Sequence, residues 1–262
     1  MTAAHASTSA RLSPPSHDGW PGWTMIERST VASTNDEASS LPAWSSVRAD
    51  RQTAGRGRYQ RSWVSDAGGL WLSAVVPVGP PDQGWPALPL GVGAVLCETF
   101  ARLGARGLHL RWPNDVMAGE AKLAGILIDQ FRPGLAVVGL GVNVRNEPEG
   151  VDPGLRGAVV RLADLVDPVP GLTELAGLLL RGLRGLVDEM HASGFASQVP
   201  RVNRWWETDI LLEVETASEL VEAVFAGVDS TGRLQLHPLT GGTLELEAHQ
   251  VQRLRELKRG KR

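Results

Sequence analysis

A single cysteine, Cys97, in 262 residues excludes an internal disulfide. It sits in the stretch GVGAVLCETFARLG, whose apolar spacing predicts a core-facing helix, so the thiol reads as buried packing rather than as a nucleophile. The N-terminal MTAAHASTSARLSPPSH lacks the apolar core of a signal peptide. No export signal and no disulfide set together predict a cytoplasmic protein. No apolar run approaches the roughly 20 residues of a membrane helix, so no membrane partner is expected. Strong charge of either sign is also missing: a net charge of −3 gives no field to attract nucleic acid or an anionic bilayer. Finally, no Gly-Lys-Ser/Thr follows a glycine-rich loop, and no G-x-G-x-x-G opens a helix after a strand. Any nucleotide is therefore held by a fold other than the P-loop or the dinucleotide-binding one.

What is present is ordinary globular composition, 42% hydrophobic and 21% charged, over a length that suits one large domain or a catalytic domain with a small module. Residues 1–20, rich in Ser, Ala and Pro, are expected to form a mobile tail. Strand-like runs lie at 70–76, 122–129 and 135–144, and LHLRW at 108–112 is expected to pair antiparallel with 122–129 through a turn at 118–120. Helices are expected at 34–40, 87–104, 172–191 and 195–206. Strands and helices in mixed order predict an α+β fold. The Pro- and Gly-rich stretch 145–160 reads as a functional loop. After Trp206 the short runs ILLEVE, LVEAVFAGVD, GRLQLHP and GTLELE, separated by turn residues, predict a small β-barrel beyond a boundary near residue 208. The basic end, RLRELKRGKR, reads as a solvated tail.

Four segments carry chemistry. In Gln52-Thr53-Ala54-Gly55-Arg56-Gly57-Arg58, followed by Tyr59-Gln60-Arg61-Ser62-Trp63, two glycines let a ligand approach main-chain N–H groups and three arginines supply permanently charged, planar donors. Such a loop suits carboxylate and phosphate; an RNA-binding RGR stretch is the alternative, though those recur in repeats and this one occurs once. The second segment is Arg111-Trp112-Pro113-Asn114-Asp115 with Lys122-Leu123-Ala124-Gly125 seven residues on. A lysine heading an apolar strand is costly to bury without an anion, and Asn114 and Asp115 can face it across the hairpin. Alone, the same residues also fit a simple turn plus an edge-strand lysine. Ser33-Thr34-Asn35-Asp36-Glu37 fits a helix N-cap and needs no function as such. Gly139-Leu140-Gly141-Val142-Asn143 is a strand whose glycines let backbone pack against a ligand, a weak signal by itself.

Taken together and in this order, S-T-N, Q-T-A-G-R-G-R with R-x-W, W-P-N-D with K-L-A-G-I-L, and G-x-G-x-N resemble the biotin protein ligases over roughly residues 27–144. The resemblance implies a catalytic domain of the class II aminoacyl-tRNA-synthetase/biotin-ligase-like type over 21–207, with a mixed, largely antiparallel sheet and helices. It also implies an SH3-like barrel with a basic tail over 208–262. The activity implied is formation of biotinyl-5′-AMP from biotin and ATP, with Mg²⁺, and transfer of biotin to a lysine of a biotin carboxyl carrier domain. By the same resemblance Lys122, Arg56, Arg58 and Asp115 are catalytic. Biotin is implied to lie against Ser33, Thr34, Asn35, Gln52, Gly55, Arg56, Gly57, Arg58, Trp112 and Lys122, and the nucleotide against Arg58, Asn114, Lys122 and Asn143. The family commonly has Gly at the position of Gln60, which implies a stiffer loop here. Only 32 residues precede Ser33, too few for the helix-turn-helix domain of the family's repressor members, so no DNA is expected; a homodimer is left open. The runner-up is a lipoate or octanoate ligase or transferase of the same fold, and a third reading is a non-catalytic biotin sensor. Retention of Arg56, Arg58 and Lys122 argues against the sensor, and Gln52 with S-T-N favours a polar ureido ring over a dithiolane.

Overall fold

A computed structural model describes residues 11–12, 22–206 and 210–257. In chain order it comprises β1 (Arg11–Leu12), β2 (Thr24–Val31), α1 (Thr34–Ala38), β3 (Ser45–Gln52), β4 (Leu70–Pro77), α2 (Leu88–Arg102), β5 (Leu108–Arg111), β6 (Asp115–Ala118), β7 (Ala121–Arg132), β8 (Leu135–Val142), α3 (Pro148–Val151), α4 (Leu172–Ser193) and α5 (Val199–Asn203). A second group follows: β9 (Leu211–Thr216), β10 (Leu220–Val228), β11 (Leu234–Pro238), β12 (Leu244–Leu246) and β13 (Val251–Leu257). The first sheet runs β1-β2-β3-β4-β8-β7-β6-β5 and the second β12-β11-β10-β9-β13. Among the described strands only β2 and β3 pair in parallel, joined through α1; the other strand pairs are antiparallel. The expected α+β fold is thus observed.

The two faces of the first sheet have different jobs. On β4, Leu70, Leu72, Ala74 and Val76 enter the main core with α2 and α4, while Val75 joins a smaller cluster with Ala38 of α1, Val47 and Val137. Burial on both sides explains why LWLSAVV reads as a continuous apolar run. β8 repeats the pattern: Val138, Leu140 and Val142 point to the core, which puts Gly139 and Gly141 on the opposite face. Helix α4 buries Leu175, Leu179, Leu183, Leu186 and Met190, the spacing of one helical stripe, and stops at Gly194 in the left-handed region (φ 64°). Cys97 lies in α2, fully buried, and burial pushes its thiol well above the ordinary range, as expected of a packing residue.

Several expectations need correction. The hairpin predicted from 108–112 to 122–129 is a three-stranded meander, because Asp115–Ala118 forms its own strand, pairing with β5 on one side and β7 on the other. Four residues are too few to show a period, which hid this strand in the sequence. The helix expected at 195–206 is a short 3-10 turn at Phe195–Gln198 followed by α5, with Pro200 at its start. Helix α1 ends at Ala38, not 40. The basic end is not all tail: Val251–Leu257 pairs with β9, placing Arg253 and Arg255 opposite Glu215 and Glu213. The expected boundary near 208 and the expected tail at 1–20 fall outside the described residues, apart from the backbone pairing of Arg11 and Leu12 with Glu27 and Ile26. Among the described residues no helix is long and apolar enough to cross a membrane.

The second sheet packs onto the β5 end of the first. Trp112 Nε1 donates to Gly232 O at 3.4 Å and Arg111 pairs with Glu256 of β13 at 3.3 Å, while the backbone N–H of Leu110 donates at 2.7 Å to Trp205 O in the segment after α5.

Candidate active site

On the glycine-bearing face of the first sheet, where it meets β13, lies a cleft of about 640 Å³. Twelve of the thirteen residues named from the sequence line it: Ser33, Thr34, Asn35, Gln52, Arg56, Gly57, Arg58, Trp112, Asn114, Asp115, Lys122 and Asn143. Gly55 does not. It lies behind the wall, where a Cβ would meet Ser65 Oγ at 2.5 Å and Trp63 O at 2.6 Å, so this glycine serves the tight return of the loop. The charges facing the cleft are Arg56, Arg58, Arg61, Arg111, Lys122 and Arg253, against Asp115 and Asp152. That balance favours an anionic ligand carrying more than one charge.

At one end the floor is polar. Ser33 caps α1, accepting the N–H of Asp36 at 3.5 Å. Gln52, the last residue of β3, accepts the N–H of Thr34 at 2.8 Å and the Thr34 hydroxyl contact at 3.0 Å, and donates to Ser65 Oγ at 2.9 Å. Asn35 donates to Asp129 Oδ2 at 2.7 Å and accepts from Ser73 at 2.6 Å. Gly139 is required beneath it, since a Cβ there would stand 2.4 Å from Asn35 Oδ1.

The middle of the cleft holds the ion pair. Lys122 Nζ stands 2.7 Å from Asp115 Oδ1, with both side chains only about a quarter exposed (26% and 22%), and lies 4.8 Å above the Trp63 ring. The Trp63 indole lies against Gly125 and Gly141, where added Cβ atoms would come within 2.9 and 2.7 Å of it. The two glycines on adjacent strands therefore form a shallow bed for a flat group. Trp63 belongs to the R-x-W segment but no role was read for it from the sequence.

The arginine loop is tied down at both ends. Arg56 makes a bidentate pair with Asp36 in the first turn of α1, which holds the Asp36 carboxyl below its usual range and raises the guanidinium's. Arg58 Nη2 donates to Ala248 O of the second sheet at 3.2 Å, and Tyr59 Oη donates toward the same sheet, 3.4 Å from Val251 O. Between these anchors Tyr59 and Gln60 both adopt left-handed backbone, φ 55° and 58°. Gln60 thus occupies the conformation in which glycine carries no steric penalty, which gives physical content to the stiffness expected of it.

Asn114 and Asn143, both lining the cleft, also hold backbone in place. Asn114 Nδ2 donates to Ile126 O at 2.8 Å, beside the bulge between β6 and β7. Asn143, fully buried, donates to Lys122 O at 3.3 Å and accepts from Asn146 at 3.1 Å. The 145–160 stretch is more than a loop: it contains α3, and its end runs beside Lys122, with Lys122 N–H donating to Ala158 O at 2.9 Å and Val160 N–H to Lys122 O at 3.1 Å. Sequence reasoning also missed Arg253, hidden in a stretch read as tail, and Asp36, read only as a helix-start residue. Among the described residues no group of three His, Cys, Asp or Glu side chains is placed to cage a metal ion.

Comparison with known proteins adds to this geometry. A family model described as the biotin/lipoate A/B protein ligase family matches residues 24–143. The chain is 32% identical to the biotin–[acetyl-CoA-carboxylase] ligase of Mycobacterium tuberculosis over 89% of its own length and 91% of that protein. It is 29% identical to the bifunctional ligase/repressor BirA of Escherichia coli over 87% of its length and 75% of that protein. Among solved structures, the biotin protein ligase of Aquifex aeolicus in complex with biotin and ATP superposes with a TM-score of 0.77 at 22% identity, covering 89% of this chain and 99% of that one. The fold, the cleft and these relatives agree: this chain belongs to the biotin/lipoate A/B protein ligase family, and within it to the biotin protein ligases.

Proposed function

We propose that this enzyme condenses biotin with ATP to biotinyl-5′-AMP and pyrophosphate, and then passes biotin to a lysine of a biotin carboxyl carrier domain. The observation that carries the reading is the position of Lys122: it projects into the middle of a cleft rich in cations, between a polar floor at one end and the second sheet at the other. The floor of Thr34, Asn35 and Gln52 offers hydrogen bonds that a ureido ring uses and a dithiolane leaves idle.

In this reading biotin's carboxylate attacks the α-phosphorus of ATP and pyrophosphate leaves. Two anions must meet, and Lys122 between them neutralises the charge that builds on the phosphate, while Arg56 and Arg58 hold the reactants in line. Asp115 keeps the Lys122 ammonium aimed before substrates arrive, and Asn114 and Asn143 fix the strands that carry both residues. When the acceptor lysine's amine attacks the carbonyl of the mixed anhydride, the amide forms, AMP leaves, and Asp115 in the cleft takes the amine's proton. Magnesium fits as an ion carried by the polyphosphate rather than one held by the protein alone, since Asp115 and Asp152 are the only carboxylates among the described residues of the cleft. Bound there, the ion would neutralise the leaving pyrophosphate.

The sheet is read as the class II aminoacyl-tRNA-synthetase-like one, and the second sheet as an SH3-like barrel that completes the nucleotide end through Arg253 and the anchor at Ala248. Gly55 supports the biotin loop from behind rather than touching the ligand. We place the enzyme in the cytoplasm, without a DNA partner. A titration of biotin against lipoate tests the reading: biotin should bind at least about a hundredfold more tightly, and equal or reversed affinity would move the assignment to the lipoate branch.

A further inference from the structure

Alternate residues at the end of β8 face the cleft. Gly139 lies beneath Asn35 on the polar floor, Gly141 lies beneath Trp63, and Asn143 follows two residues on, about 13 Å from Gly139 at the rise of an extended strand. Asn143 thus serves the end of the cleft away from the floor, where ATP lies in the reading above. Its amide is held by a residue that belongs to none of the motifs. That residue is Asn146, at the start of the 145–160 stretch and only 1% exposed.

A side-chain amide can turn either its oxygen or its nitrogen to a neighbour, and its partners decide which. The backbone N–H of Val144 can only donate, and at 3.0 Å it meets Asn146 Oδ1. Asn146 Nδ2 is thereby turned to Asn143 Oδ1, 3.1 Å away. Asn143 Nδ2 in turn donates to the main-chain oxygen of Lys122, which can only accept, at 3.3 Å. Every link agrees with the next, so one backbone N–H sets the direction of both amides. Lys122 O takes one of the two hydrogens on Asn143 Nδ2, and the other remains for the cleft that Asn143 lines. We infer that Asn146 is a positioning residue for the nucleotide: it fixes Asn143 as a donor toward an acceptor atom of ATP, whether a base nitrogen or a ribose or phosphate oxygen. The inference rests on the biotin and ATP reading above. With an acceptor in place of Asn146 Nδ2, two oxygens would face each other across 3.1 Å. Asn143 would then turn over, setting its own oxygen against Lys122 O, or swing out of line, and either way the donor is lost.

The test compares the intact wild type with Asn146→Asp, which still accepts the Val144 N–H but has no hydrogen to give, with Asn143→Ala, and with the double variant. Biotin-dependent ATP–pyrophosphate exchange gives KM for ATP and kcat, and calorimetry gives biotin affinity. Asn146→Asp should raise KM for ATP by about tenfold or more and leave biotin affinity little changed. The double variant should be no worse than Asn143→Ala alone, because both substitutions remove the same donor; simple repulsion of ATP by the new carboxylate would instead persist in it. An unchanged KM for ATP, a loss confined to kcat, an equal loss for ATP and biotin, or effects that multiply in the double variant would each overturn the inference while leaving the biotin assignment intact. If Asn146→Asp does not fold, Asn146→Ser, too short to reach Asn143, is read by the same outcomes. A wild type without biotin-dependent exchange would overturn both.

Discussion

Lys122 and Asp115 lie one strand apart, on β7 and β6, with Nζ and Oδ1 separated by 2.7 Å. The pair is set up by the bulge between Val116 and Met117, which shifts register so that Asp115 pairs with Gly125 while Met117 pairs with Lys122. A cation aimed by a neighbouring carboxylate before substrate arrives needs little reorganisation during the reaction. Lys122→Ala should therefore slow biotin-dependent ATP–pyrophosphate exchange by at least about tenfold, equivalent to about 1.4 kcal/mol of transition-state stabilisation. Unchanged exchange in a folded variant would remove Lys122 from the mechanism.

The left-handed Gln60 yields a second expectation. Gln60→Gly should be tolerated, because relief of backbone strain and the added freedom of the unfolded chain oppose each other at about 1 kcal/mol each. Gln60→Val should not be, since a β-branched residue resists positive φ; it should detach the loop from Ala248 and Val251. The readout is KM for ATP, raised several-fold in Gln60→Val and little changed in Gln60→Gly. Equal effects from both substitutions would rule out backbone conformation as the cause.

How much of this was legible beforehand depends on what each signal needs. The strands at 70–76, 122–129 and 135–144 were readable because each is long enough to show its pattern and carries a run of at least four consecutive buried residues. Asp115–Ala118 was not, being four residues without a period, and Thr24–Val31 and Ser45–Gln52 escaped because polar and charged residues dominate their exposed faces. The cleft was legible from short motifs almost completely, since loops that hold anions need glycine and arginine at fixed places. Its supporting residues were not. Ser73 looks like any serine in a strand, Asp36 like a helix start, and Arg253 like part of a tail, and each acquires a role only when distant elements meet.

A third expectation concerns the second sheet. Because Arg58 and Tyr59 reach it and Arg253 faces the cleft from it, truncation after Trp206 should weaken ATP use more than biotin binding. Calorimetry with biotin, set beside exchange kinetics across ATP concentrations, separates the two. A soluble fragment with full ligase activity would refute a catalytic role for this sheet.

Stability at acid pH offers a fourth check, away from the cleft. Arg201 grips Glu98 through two hydrogen bonds of 2.6 and 2.7 Å, which hold the Glu98 carboxyl below its ordinary value of 4.5. A depressed carboxylate contributes stability that is complete above the unfolded value and disappears as pH falls through the lower folded one. Glu98→Gln should thus cost about 1 kcal/mol near neutrality for this partly exposed pair, or a fall of about 2–4 °C in Tm. The gap between variant and wild type should start to close as pH falls past 4.5 and vanish below the lower folded value. A constant gap across the acid range would mean that packing, not charge, is what the substitution removes.

Joining biotin to AMP is the chemistry proposed for this cleft. Isotope exchange between pyrophosphate and ATP, measured with the intact protein in the presence of biotin, lipoate, octanoate or no acid, tests it. Exchange should require biotin, with biotinyl-5′-AMP recoverable from the enzyme, and should be slight with the other two acids. Exchange driven by lipoate or octanoate, or none with biotin while biotin binds, would contradict it.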